Sequence, residues 1–317
     1  MNNFQTELSR EFEMSGVSAP SIHNYMRILK SLNGGQDYSD LDFLKNVEIT
    51  ETRLRLTENN KQASDNTYKS RLTTILSVLR MTGMSEEPLY DTYKKKYDTV
   101  AKKLMDVAKS GEKSEKEKAN WVGVNELDDV IKKHKDLALS PTATRQNKVD
   151  YLLLSLYCHL PPRRNMDYHK MMVIRGTAPK TMSSEYNYFI VEQKLMIFHQ
   201  HKNTNSKGTE IMSADNADFL EAFDVYTTVM PKLPRSAKFT KSPLLCHENG
   251  QAWKDADMIR YRLNVIFDKN VGPSMLRKII STQKRPADKE ELEDFMDLCK
   301  SMGHSVETHT RYYIKNN

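Results

Sequence analysis

Glycine is scarce in this chain, with 11 residues in 317. No G-x-x-x-x-G-K-S/T loop and no G-x-G-x-x-G turn occurs, so the phosphate cradles of ATP-driven and dinucleotide-dependent enzymes are not encoded. Cysteine is scarcer still. Cys158, Cys246 and Cys299 are odd in number and far apart, which excludes a disulfide framework and a Cys-x-x-Cys zinc site and favours a reducing compartment. No run approaches the ~18 consecutive apolar residues of a spanning helix, and Met1-Asn2-Asn3-Phe4 lacks the basic-then-apolar layout of a secretory signal. An intracellular location without a membrane partner is expected.

What is present is a polar, globular composition: 38% hydrophobic and 28% charged residues, in a length that suits about two domains. Forty-eight Lys+Arg against 42 Asp+Glu leave a net +6, compatible with a polyanionic partner but too mild to name one.

Residues 1–93 read as a small helical domain. Ile22, Tyr25, Met26, Leu29 and Leu32 form one apolar stripe at helical spacing, with Pro20-Ser21 ahead and Asn33-Gly34-Gly35 behind. Tyr68, Leu72, Ile75, Leu76 and Leu79 form a second, and Asp40-Leu41-Asp42-Phe43-Leu44 predicts a short helix between them. Residues 94–118 hold nine lysines against five acids and read as a basic linker, a strap suited to crossing a polyanion. Residues 119–317 form the second domain, which opens with helices, one from Asn125 through Ile131. Tyr151-Leu152-Leu153-Leu154-Ser155-Leu156-Tyr157 is a buried helix broken by Pro161-Pro162. Met171 to Ile174, Tyr186 to Val191, Leu195 to His199 and Thr209 to Met212 read as strands of a small antiparallel sheet with a polar tip at residues 203–208. The rest reads as helical, including Leu292, Phe295, Met296 and Cys299. The predicted fold is mainly α with a small antiparallel β-sheet.

Several polar residues stand out. Arg163-Arg164 follow the proline break, with Asp167 three residues on; alone, such a pair is usually a solvated turn or a partner of a helix C-terminus. Arg277 lies near a helix start in Ser274-Met275-Leu276-Arg277-Lys278, where the helix dipole opposes it unless an anion is bound. Lys202 and Lys207 flank the polar tip. His199 and His201 alternate along a strand, but no third ligand stands nearby and no metal is expected. Met302-Gly303-His304-Ser305 precedes Thr310, Tyr312 and Tyr313.

Taken in order, these residues resemble the catalytic domain of the tyrosine recombinases, the phage-integrase family. Its last motif, L-G-H-S-x-x-x-T-T-x-x-Y, is similar to the stretch from Met302, with Tyr313 nine residues after His304 and Tyr312 out of register. Its central H-x-L-R-H resembles Ser274 to Lys278 with both histidines replaced, and its G-L-R-x-x-E resembles Pro162-Arg163-Arg164-x-x-Asp167, which selects Arg164 over Arg163. The resemblance implies Arg164, Lys202, Arg277, His304 and Tyr313 as catalytic residues, with Ser274, Arg163, Asp167 and Lys207 in support. It also implies a two-domain C-clamp on double-stranded DNA, a homotetramer exchanging strands through a Holliday junction, and no cofactor. A role in integration of a virus or mobile element fits. Two alternatives stay open: a type IB topoisomerase-like nicking-closing enzyme, and a non-catalytic DNA-binding protein, the latter because Ser274 replaces a histidine.

These residue types suit the chemistry. Charge that grows on phosphoryl oxygens must be met by fixed cations, and a guanidinium offers planar, bidentate donors without losing its charge. A free tyrosine, with a pKa near ~10, is a poor nucleophile until cations stabilise its phenolate. A lysine on the hairpin would protonate the leaving 5′ oxygen.

Overall fold

A computed structural model of the chain describes residues 3–57, 59, 61–176, 181–202, 204–230, 239–283, 290–303 and 305–315. Two compact units divide between Ser110 and Gly111. The first holds α1 (Asn3–Met14), α2 (Ala19–Leu32), a 3-10 turn (Asp42–Lys45), α3 (Val47–Arg55), α4 (Asp65–Met81) and α5 (Pro88–Ser110). On α2 the predicted stripe turns inward, with Ile22, Leu29 and Leu32 buried. Every member of the second stripe is buried on α4, whose N-terminus Ser64 caps by accepting the Thr67 N–H at 3.2 Å.

The basic linker is corrected by this structure. Residues 94–110 are the latter part of α5, and Tyr93 and Val100 are buried in the first core with Tyr97 and Leu104 packed against it. The spacing 93, 97, 100, 104 is a helical stripe hidden among lysines, of which Lys95, Lys102, Lys103 and Lys109 are exposed. The first unit therefore reaches residue 110, and the second begins at 111.

The second unit runs α6 (Glu115–Asn120), α7 (Val124–Leu139), α8 (Arg145–Cys158), α9 (Asn165–His169), β1 (Met171–Gly176), β2 (Asn187–Ile190), β3 (Leu195–Phe198), α10 (Thr204–Lys207), β4 (Glu210–Ser213), α11 (Ala217–Thr227), β5 (Phe239–Pro243), α12 (Asp257–Phe267), α13 (Pro273–Gln283), α14 (Glu290–Ser301) and α15 (Val306–Tyr312). The helix expected from Asn125 begins one residue earlier, behind Gly123, and continues past Ile131 to Leu139. Val149 through Tyr157 are all buried, so α8 is the central helix, covered by α7, α11, α12 and α13. Among the described residues no helix is long and apolar enough to cross a membrane.

The sheet is mixed rather than antiparallel. Its order is β4-β3-β2-β1-β5, and β1 pairs with β2 in parallel, Val173 opposite Phe189. The other neighbours are antiparallel. Local reading finds the β2–β3 turn, where Lys194 takes the left-handed φ of 51°. A parallel pair needs a longer return of the chain than a hairpin turn and leaves no turn signal. The strand β5 interrupts a stretch read as helical, and α10 occupies the polar tip.

Inside this unit a charged group is buried with its partners. Arg262 grips Asp150 with two bonds of 2.5 Å, and Gln146 donates to the same carboxylate at 2.8 Å. His134 lies 4.0 Å from it. Burial holds His134 below its ordinary pKa of 6.5; Asp150 opposes this, while Lys133 and Arg262 add to it. A depressed folded value means that stability is full above the ordinary value and is lost as pH falls through the depressed one. The unfolding free energy from urea titration is expected to drop on acidification from pH ~7 to ~5, with His134 contributing at most about 1.4 kcal/mol per pH unit, and His134→Leu should remove that part of the slope.

Candidate functional site

Residues 161–164 run without helix between the end of α8 and the start of α9. Arg164 stands at the N-cap of α9 with φ −75° and ψ 154°, an extended backbone in which adjacent side chains face opposite ways. The two arginines part accordingly. Arg163 is 1% exposed. Its Nε donates to Asp167 Oδ2 at 2.9 Å, Nη1 to the Ser301 carbonyl at 2.7 Å and Nη2 to Glu210 Oε2 at 2.6 Å. Its flat face lies 4.0 Å from the centre of the Phe198 ring. Asp167 thus orients Arg163 and not Arg164. Arg164 is half-buried, and its guanidinium forms no hydrogen bond or ion pair with another described residue.

Arg277, one turn into α13, is 2% exposed. Its Nε donates to the Pro162 carbonyl at 3.1 Å and its Nη2 to the Met302 carbonyl at 3.4 Å. Its guanidinium carbon lies 4.8 Å from the centre of the Tyr313 ring. One side chain therefore joins three stretches far apart in sequence. Burial lowers the Arg277 pKa; Tyr313 opposes this, Arg164 lowers it further, and Asp167 opposes. Arg164 and Arg277 carry like charges, and an anion held by Arg277 would offset the cost of its burial.

Tyr313 is half-buried just past α15, while Tyr312 ends that helix at 45% exposure. Arg277 stacks on Tyr313. His304 lies outside the described residues. Gly303 before it has φ +73°, and a Cβ there would stand 3.5 Å from Glu210 Oε2 and 3.8 Å from Arg163 Nη2. The space is adequate but the backbone is not, so Gly303→Ala is expected to cost about 1–2 kcal/mol, measured as a lowered urea midpoint with the Arg163 bonds intact.

Ser274 is exposed in the first turn of α13 and lines a cavity of about 370 Å³ with Lys116, Asn165, Arg260 and Lys278. Lys202 is exposed, and among the described residues no hydrogen bond or ion pair joins it to this cluster. Lys207, at the end of α10, lies 3.9 Å from Glu210 Oε1, so one carboxylate separates it from Arg163. One ring nitrogen of His199 faces the Thr209 hydroxyl at 3.0 Å, and one of His201 faces the Gly208 carbonyl at 2.8 Å. Among the described residues no three His, Cys, Asp or Glu side chains are grouped to hold a metal ion.

Two participants escaped sequence reading. Glu210 shares the inward register of β4 with buried Met212, and an acid on the buried side of a strand was the available signal. Tyr157 is fully buried, its hydroxyl has no hydrogen-bond partner among the described residues, and burial raises its pKa well above the ordinary value. It lay inside an apolar run and read as core. No family model matches the chain, and neither does any curated protein or solved structure.

Proposed function

We propose that the second unit cuts and rejoins double-stranded DNA through a covalent phosphotyrosine at Tyr313, in the manner of the tyrosine recombinases whose motifs it resembles. The observation that carries this reading is the contact set of Arg277, which brings Pro162 beside Arg164, Met302 beside the His304 motif, and Tyr313 to one place. Arg164 and Arg277 would hold the non-bridging oxygens of the scissile phosphate with charge-assisted bonds. The Tyr313 oxygen bonds to phosphorus as its proton passes to solvent, from which the lysine that serves as acid is later reprotonated, and the bond from phosphorus to the 5′ oxygen breaks. That oxygen takes a proton from a hairpin lysine, Lys202 or Lys207. Reversal by a 5′ hydroxyl of another strand rejoins the backbone with no net loss of phosphodiesters. His304 would add a further donor, and four protomers on two sites would exchange strands.

Affinity on this reading comes mainly from Lys and Arg to phosphate and falls steeply with salt. The test is a nicked suicide duplex that loses its 5′ end on cleavage and traps the adduct. Wild type and Tyr312→Phe are expected to form it, and Tyr313→Phe none. An adduct that survives Tyr313→Phe would falsify the assignment. Tight binding without adduct on any duplex would instead make the chain a binding protein. Joining between two labelled duplexes, as against supercoil relaxation alone, separates a recombinase from a nicking-closing enzyme.

A further inference from the structure

The residues after Tyr313 are held by a set of bonds that the chemistry above does not use. Ile314 is buried against Phe295 and Cys299 of α14. The Lys315 backbone N–H donates to Thr282 Oγ1 at 2.9 Å, and that hydroxyl lies 3.3 Å from the Tyr313 carbonyl. The Lys315 side chain is only 8% exposed. Its ammonium lies 3.9 Å from Glu117 Oε2 and 3.5 Å from the Glu112 carbonyl.

Glu117 is the hub. Its other oxygen accepts from Lys278 of α13, the residue next to Arg277. Ser114 fixes the carboxylate from behind with its backbone N–H at 2.8 Å and its hydroxyl at 2.9 Å. Burial alone would raise the pKa of Glu117; Lys278 and the Ser114 N–H outweigh it and bring it down to about 2. The carboxylate is therefore charged at neutral pH. One fixed anion grips the neighbour of Arg277 and the residue two places past Tyr313.

We infer that Glu117 is a positioning residue for Tyr313: by holding Lys278 and Lys315 it keeps the tyrosine seated under the Arg277 guanidinium. This rests on the reading of Tyr313 as nucleophile, yet the clasp is testable without DNA. A small misplacement of a reacting group costs up to about 100-fold in rate, so loosening the clasp acts on the chemical step rather than on binding.

The experiment compares full-length wild type with Glu117→Gln and Lys315→Met, and uses Lys315→Arg as the conservative variant. Amide hydrogen exchange is read at Lys315, whose N–H bonds to Thr282. Single-turnover adduct formation on the suicide duplex is read against DNA concentration. Glu117→Gln is expected to raise exchange at Lys315 about 10-fold and to slow adduct formation by about 10-fold or more, with the half-saturating DNA concentration unchanged. Lys315→Met should repeat that split should Glu117→Gln fold poorly, and Lys315→Arg should stay near wild type. Unchanged exchange at Lys315 in both disrupting variants overturns the inference, as does raised exchange with a wild-type adduct rate. Should wild type form no adduct on any duplex, the nucleophile reading fails, and exchange at Lys315 alone decides whether the clasp exists.

Discussion

Arg163→Met is expected to destabilise the second unit by about 3–5 kcal/mol, the range for removing one partner of a buried ion pair. The methionine fills much of the volume over Phe198, so the loss is electrostatic. Asp167, 1% exposed, loses its bonded guanidinium, and Glu210 and the Ser301 carbonyl lose their donor. In a unit of this size the melting temperature should fall about 10 °C. Arg163→Lys should recover little, because one ammonium cannot reach three acceptors that a planar fork meets at once. Adding Glu210→Gln to Arg163→Met should restore part of the loss, a coupling that a double-mutant cycle measures. A melting point within about 2 °C of wild type would show that the three bonds carry no net stability.

Arg277→Lys is expected to slow adduct formation by about 10²–10³-fold, the usual effect of removing one oriented donor to a developing charge. The lysine keeps the positive charge, so bulk attraction of DNA should persist and the apparent affinity should change little. What it lacks is geometry. Arg277 spends its Nε on the Pro162 carbonyl and its Nη2 on the Met302 carbonyl while its central carbon lies over the Tyr313 ring, whereas a single ammonium must choose among those contacts. Arg164→Ala should slow the same step while leaving the melting temperature within about 1 °C, because its guanidinium supports no described neighbour. A wild-type rate in Arg277→Lys would remove this arginine from the reaction.

Sequence reading reached the elements whose signal is local. The α2 and α4 stripes and the unbroken apolar run of α8 each appear where periodicity placed them, and β2, β3 and their turn follow from alternation. It failed where partners are distant. The parallel pairing of β1 with β2 and the placing of β5 on the far edge depend on contacts across tens of residues and leave no local mark. In α5 the stripe of Tyr93, Tyr97, Val100 and Leu104 has helical period, but the lysines around it dominate the local composition and mask it. At the site, motif spacing treats Arg163 and Arg164 differently, and so does the structure: Arg163 is buried and spent on three acceptors, and Arg164 is half-buried. The acids that hold the cluster, Glu210 and Glu117, were silent for opposite reasons. Glu210 needed the strand register, while Ser114-x-x-Glu117 is a capping box that sequence alone displays and the linker reading passed over.

The early position of Glu117 governs where the chain can be divided. A fragment beginning at residue 119 would discard the carboxylate that faces Lys278 and Lys315 and leave the buried Lys315 ammonium without that counter-charge. One beginning at residue 111 retains Glu112, Ser114 and Glu117 together with every arginine of the cluster. A cut at the end of the basic stretch 94–118 therefore removes the carboxylate that faces Lys278 and Lys315.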